Sequence, residues 1–210
     1  MRTFIAIAIP TTLHALIRSQ QQRLDGILDA AQQGHPISWT PPDKVHITLR
    51  FLGDTTPPQR DTLYRTLAAL SVTHKPFDLS MAHIGCFPTW QRPNVIWLGI
   101  QDEENALRPL QQQIEQAAQA AGYVAEAKSF TPHVTIGRLR RSITRPQLQA
   151  IGQILAQNLA RDASPPYPPA RFPVDQFVYM QSELHATGAR YTPLRVFKLA
   201  QPAQATGADE

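Results

Sequence analysis

The chain has 210 residues, 42% hydrophobic and 17% charged, which suits one large domain or two small lobes around a sizeable core and excludes a disordered or fibrous chain. Twenty basic against sixteen acidic residues leave a formal charge of +4 and a pI near 9.5, mildly basic and far from a histone-like polycation. A single cysteine, Cys86, excludes an intrachain disulfide framework and favours a reducing compartment, so a cytoplasmic location is expected.

Thr3 to Ile9 reads as a buried strand; its apolar run starts at Phe4, stops at Pro10 and is too short for a signal core or a membrane span. Leu13 to Ala31 reads as a helix, with Leu13, Leu16, Ile17, Leu24, Ile27 and Leu28 at helical spacing and Gly34 beyond its end. Ile37 to Trp39 is a short strand stopped by Pro41-Pro42, and Val45 to Leu52 a strand turned by Gly53-Asp54. Pro57 to Leu70 follows as a helix with Leu63, Tyr64, Leu67 and Leu70 inward. Phe77 to Ile84 and Val95 to Ile100 are predicted strands joined by a loop bearing Pro and Trp. The theme then repeats. Asn105 to Ala121 is a helix capped by Gly122, Phe130 to Leu139 a strand, and Thr144 to Leu159 a helix with Thr144 as N-cap. Pro165 to Pro173 reads as a loop, Phe172 to Ser182 and Tyr191 to Leu199 as a hairpin turning at Thr187-Gly188, and 201–210 as a disordered tail.

One pattern occurs in both halves: His46-Ile47-Thr48-Leu49 and His133-Val134-Thr135-Ile136. With seven His and seventeen Thr in the chain, a single His-x-Thr arises about 0.6 times by chance, so one copy says little. Two copies, each in a strand-like run with branched apolar residues between, suggest a duplicated unit of about ninety residues. A strand alternates its faces, so His and Thr share one face and the apolar pair fills the core behind them. The alternative is two buried histidines in ordinary strands. The expected fold is α+β: one bilobal domain over 1–200, two pseudo-symmetric lobes of mainly antiparallel sheet with helices outside, and a cleft between the lobes that brings the motifs face to face. Sixteen of the basic residues are Arg, whose planar fork matches phosphate oxygens, although a GC-rich genome produces the same bias.

Over most of its length the chain resembles the two-histidine phosphoesterase superfamily, and within it the RNA 2′,3′-cyclic phosphodiesterases, also called 2′-5′ RNA ligases. The matching landmarks are Arg2-Thr3-Phe4-Ile5-Ala6, Trp39-Thr40-Pro41, Val45 through Gly53, Gly85-Cys86-Phe87-Pro88, Val95 through Gly99, Phe130 through Arg138, and Tyr191-Thr192-Pro193-Leu194. Two features depart from the pattern: Pro93 is followed by Asn94 and preceded by Arg92, where the family has Arg after the Pro, and the second motif ends Ile136-Gly137-Arg138.

The resemblance implies metal-free hydrolysis of an RNA terminal 2′,3′-cyclic phosphate to a 2′-phosphomonoester, with reversible 2′-5′ RNA ligation as a companion reaction. It implies His46 as proton donor, His133 as proton acceptor, and Thr48 and Thr135 as ligands of the phosphate oxygens. Arg138 is a further candidate ligand, although its offset turns it from the cleft unless the strand bends at Gly137. Arg50 has the parity to face the cleft, the alternative being a surface or ion-paired side chain. The run Arg138, Arg140, Arg141 and Arg145 either tracks an RNA backbone or is a solvated loop. His14, His35, His74, His83 and His185 have no repeated context, and His83 reads as a packed core residue, the alternative being a place lining the cleft. No His-Glu-x-x-His, Cys-x-x-Cys or Gly-rich phosphate loop occurs, so no metal or other cofactor is called for. The expected partner is RNA with a cyclic phosphate end; no membrane and no obligate protein partner is inferred, and a monomer is expected. Two alternatives stand beside this: a non-catalytic module that binds RNA terminal phosphates, and a cyclic phosphodiesterase of small nucleotides.

Overall fold

Residues 1–161, 170–185 and 188–200 are described by the structure, a computed structural model. The order is β1 (Arg2–Ala8), α1 (His14–Ala30), β2 (Ile37–Trp39), β3 (His46–Asp54), α2 (Pro57–Ser71), β4 (Phe77–Thr89), β5 (Arg92–Gln101), α3 (Leu107–Ala120), β6 (His133–Leu139), α4 (Arg145–Arg161), β7 (Ala170–Val174), β8 (Gln176–His185) and β9 (Gly188–Lys198). Helices α2, α3 and α4 start where side chains bond the amides of the first turn. Thr56 forms a capping box with Gln59, Thr144 faces Gln147 in the same way, and the Asp102 carboxylate accepts from the amides of Ala106 and Leu107. Gly122 ends α3 with φ +87°, a conformation L side chains avoid.

The strands form one antiparallel sheet in the order β7-β4-β5-β6-β3-β1-β8-β9, with β2 added beside β6. Only Asp175 separates β7, at one end of this order, from β8, near the other. Residues 174 and 176 lie at most ~7 Å apart, so the sheet curls until its two ends approach. The fold is the expected α+β one of two sheet lobes with helices outside. The lobes meet at β3 and β6, which share a single register pair, Ile47 with Val134.

The lobes do not correspond to the two halves of the sequence. The lobe holding His46 combines β1 and β3 with β8 and β9, and α3 from the second half packs on β3. The lobe holding His133 takes α1 from the first half, packed on β6 and α4. Ile47, Leu98, Val134, Leu110 and Ile114 are fully buried between sheet and helices.

Three local expectations are corrected. The segment between Ile84 and Val95 is not a loop: β4 and β5 run on through Gly85-Cys86-Phe87-Pro88 and leave only Trp90-Gln91 at the hairpin tip. The run from Phe172 is two strands, broken where the chain crosses between lobes at Asp175. Residues 170–173, expected in a loop, belong to β7; this is an edge strand, where the missing amide of Pro173 leaves no outer neighbour unpaired. The rest of that loop at 165–169, Thr187 and the tail at 201–210 lie outside the described residues.

Candidate active site

The two motif strands share one irregularity. Along β3, Ile5 pairs with Arg50 and Ala6 with Thr48, so Leu49 is an extra residue; along β6, Ile96 pairs with Gly137 and Trp97 with Thr135, so Ile136 is extra. Each is a β-bulge, and each switches the face of the residues that follow it, in β3 as far as a second register shift at Leu52. The burial sequence is consequently the same in His46–Leu52 and His133–Leu139: His and Thr half-buried, the apolar positions and the fifth residue buried, the sixth exposed. A buried glutamine supports each bulge. Gln21 of α1 donates to the carbonyls of Ile136 (3.0 Å) and Thr40 (2.7 Å), and Gln111 of α3 to that of Leu49 (3.3 Å).

This geometry places the candidate arginines. Arg138, past the bulge, faces the cleft. Arg50 is absent from the catalytic cavity, because the Leu49 bulge reverses the parity that favoured it, and it lines only the wider groove beside that cavity. Its side chain is 7% exposed, with Nε 2.6 Å from Glu115, Nη1 3.1 Å from Glu126, and Nη2 donating to the Val124 carbonyl. Phe51 takes the cleft-facing place instead. Gly137, the counterpart of Arg50, lies under β2, where a Cβ would stand 2.6 Å from Ile37.

His46, Thr48, His133, Thr135 and Arg138 line one cavity of about 190 Å³, with Phe4, Phe51, Lys44 and Tyr191. The antiparallel sense of the Ile47–Val134 pair points Thr48 towards the His133 side and Thr135 towards the His46 side. Each imidazole is held in the same way: Nδ1 of His46 lies 2.9 Å from the Lys44 carbonyl and Nδ1 of His133 2.7 Å from the Thr131 carbonyl. A carbonyl only accepts, so Nδ1 carries the proton and Nε2 is the nitrogen left for chemistry. Aromatic rings wall each imidazole. Phe4 and Tyr191 flank His46 at 4.8 and 5.1 Å, while Phe87 and Trp97 flank His133 at 4.9 and 6.0 Å. Gly85 lies under the Trp97 indole with no room for a side chain.

Burial pushes both imidazoles below their usual pKa. The Lys44 carbonyl partly offsets this at His46, and the neighbouring His133 lowers it further; at His133 the Thr131 carbonyl opposes burial and Arg138 adds to it. Burial raises the Cys86 thiol to about 11, which removes it as a nucleophile at neutral pH.

A larger groove of about 750 Å³ opens from this cavity, sharing Thr48, Phe51, His133, Thr135 and Arg138 and continuing past Phe87, Lys128 and Phe130. Sequence reasoning missed Phe51, Lys44 and the aromatic walls; Phe51 was legible from its match in position to Arg138. His83 is exposed, its ring edge-on to Trp97 at 5.4 Å, rather than packed in the core. Among the described residues no three His, Cys, Asp or Glu gather as metal ligands, and no helix is long and apolar enough to cross a membrane.

The family model of the 2′-5′ RNA ligase superfamily matches residues 19–186. The chain is 28% identical over 162 residues to the RNA 2′,3′-cyclic phosphodiesterase of Aquifex aeolicus, covering 77% of this chain and 81% of that protein. It is 28% identical over 199 residues to the protein of that name in Archaeoglobus fulgidus, covering 94% and 100%. Among solved structures, that of TT0787 from Thermus thermophilus superposes with a TM-score of 0.72 at 22% identity, covering 96% and 99%, a likeness of fold.

Proposed function

The chain belongs to the 2′-5′ RNA ligase superfamily, and from that premise we propose that it is an RNA 2′,3′-cyclic phosphodiesterase working by acid–base catalysis between His46 and His133. The observation that carries this is the pair of imidazoles in one cavity, both anchored through Nδ1 and both free at Nε2, with a threonine hydroxyl directed to each side.

His133 Nε2 takes a proton from water as its oxygen bonds to phosphorus. The bond from phosphorus to the ribose 3′ oxygen breaks, and His46 gives that oxygen its proton, leaving a 2′-phosphomonoester. Arg138 supports this division of labour, because its charge disfavours a proton on His133 and so keeps it in the unprotonated form that a general base needs. Thr48, Thr135 and Arg138 hold the non-bridging oxygens as negative charge grows on them. The same groups serve 2′-5′ joining when a ribose 5′ hydroxyl attacks phosphorus in place of water. Arg50 has no part in this scheme, since two carboxylates engage its guanidinium. The size of the groove and its exposed Phe51, 44% accessible, favour an RNA end over a free cyclic nucleotide.

The test is incubation of metal-free protein with a short RNA ending in a 2′,3′-cyclic phosphate, beside His46→Ala and His133→Ala. A 2′-phosphate made by wild type and by neither variant is expected. Tight binding without turnover would instead support an RNA-binding module.

A further inference from the structure

Beyond the groove lies a third cavity, of about 370 Å³, which shares Pro88 and Asn94 with it. Leu139, Ile143 and Leu148 line its apolar side, and Arg92, Arg140 and Arg141 line it with cations. The three cavities therefore form a line: catalytic pocket, groove, basic pocket. We infer that the basic pocket holds RNA upstream of the reacting end, with backbone phosphates on Arg92 and Arg141 and a base against the apolar side. This rests on the reading of the site as an RNA cyclic phosphodiesterase.

Polarity supports the occupant. A 2′,3′-cyclic phosphate is the 3′ end of its strand, so everything attached to it runs in the 5′ direction and needs one path out. Strand β6 leads from His133 to Arg138 in the catalytic pocket, and Arg140 and Arg141 follow at once. At ~3.3 Å per residue the run from His133 to Arg141 spans less than ~30 Å, a reach of a few nucleotides. No carboxylate lines the pocket. Arg92 and Arg141 are exposed with no ion pair or side-chain hydrogen bond among the described residues, whereas Arg140 is fixed by donating from Nε to the His35 carbonyl at 3.0 Å. Helix α4 forms the wall: Gly152 meets the Trp90 carbonyl so closely that no side chain fits, which brings Leu148 against the β4–β5 hairpin. Arg92, displaced to the far side of Pro93 relative to the family pattern, points its charge into this pocket rather than the catalytic one.

The experiment compares wild type with Arg92→Ala/Arg141→Ala on 2′,3′-cyclic AMP and on cyclic-phosphate RNAs of two, four and eight nucleotides. Wild-type kcat/KM is expected to rise roughly tenfold or more from two to eight nucleotides, and the variant to lose that gain while its rate on 2′,3′-cyclic AMP is unchanged. The salt slope of kcat/KM on the octamer should shrink by about 1.4, from two lost single-strand phosphate contacts. The same length dependence and salt slope in both proteins would overturn the inference while leaving the phosphodiesterase reading intact. Should wild type turn over none of these substrates, that reading fails, and binding of a labelled RNA octamer still decides on the pocket: equal affinity in variant and wild type overturns it.

Discussion

Phe51 and Arg138 occupy equivalent places on the two motif strands, each the sixth residue from its histidine and each turned into the cleft by a bulge two residues earlier. A near-symmetric cleft thereby acquires an aromatic side and a cationic side. Arg138→Ala should lower kcat/KM about 10²–10³-fold, as loss of one donor to the transition-state oxygens does. Arg138 also depresses His133, so its removal lets the His133 pKa rise and moves the acid limb of the rate profile to higher pH. Arg138→Lys keeps the charge without the fork and should fall between. A rate profile from pH 4 to 9 measures both effects; an unmoved acid limb would count against the assignment of His133 as base.

The active form of the free protein carries one proton on the histidine pair. Both imidazoles sit below 6.5, so that form is populated on the acid side of 6.5, and kcat/KM should peak there and fall as pH rises. A bound phosphate anion pulls the pair upward, so kcat should peak at higher pH than kcat/KM. The shifts also act on stability. Below 6.5 the unfolded chain binds more protons than the folded one, so stability present above 6.5 is lost as pH falls through the lowered folded values. Urea midpoints at several pH values should show His46→Ala losing less stability in acid than wild type.

The glutamines under the two bulges should differ in weight. Gln21→Leu strands the Thr40 carbonyl, which accepts at 2.7 Å, leaves the Ile136 carbonyl with the Thr40 amide alone, and should cost about 1–3 kcal/mol. Gln111→Leu removes a single bond of 3.3 Å and should cost less. Gln21→Leu should also slow turnover, because the Ile136 bulge aims Arg138. Chemical denaturation and steady-state rates check both, and the reverse order of stabilities would contradict the account.

Arg50→Met leaves Glu115, 17% exposed, without its cation and should destabilise the fold by about 3–5 kcal/mol. Adding Glu115→Gln should recover part of the loss. At a temperature where the variant stays folded, KM should remain near the wild-type value, since Arg50 offers no free charge to the cleft. A KM raised tenfold with unchanged stability would return Arg50 to the phosphate.

Strand alternation was enough to place both histidines and both threonines on one face, because the motif ends before the chain departs from period two. It failed for Arg50 because a bulge is an extra residue in a register, visible only beside the partner strand. The bend considered at Gly137 for the second copy applies equally to the first, and would have replaced Arg50 by Phe51. The aromatic walls came from β1, β4, β5 and β9, whose meeting is a matter of sheet order rather than local pattern. The crossing at Asp175 was hidden because two strands separated by one residue read as one.

That crossing has a consequence for biosynthesis. Strand β1 leaves the ribosome ahead of its partners, yet its neighbour β8 follows long after it, and Thr3 waits for the Tyr179 hydroxyl that lies 3.0 Å from it in the finished protein. The ring of Tyr191 that flanks His46 arrives later still. A nascent chain halted near Val174 can pair every strand around His133 while β1 offers a bare apolar edge. Interrupted translation should therefore yield sticky, inactive fragments, because catalytic competence waits for β8 and β9.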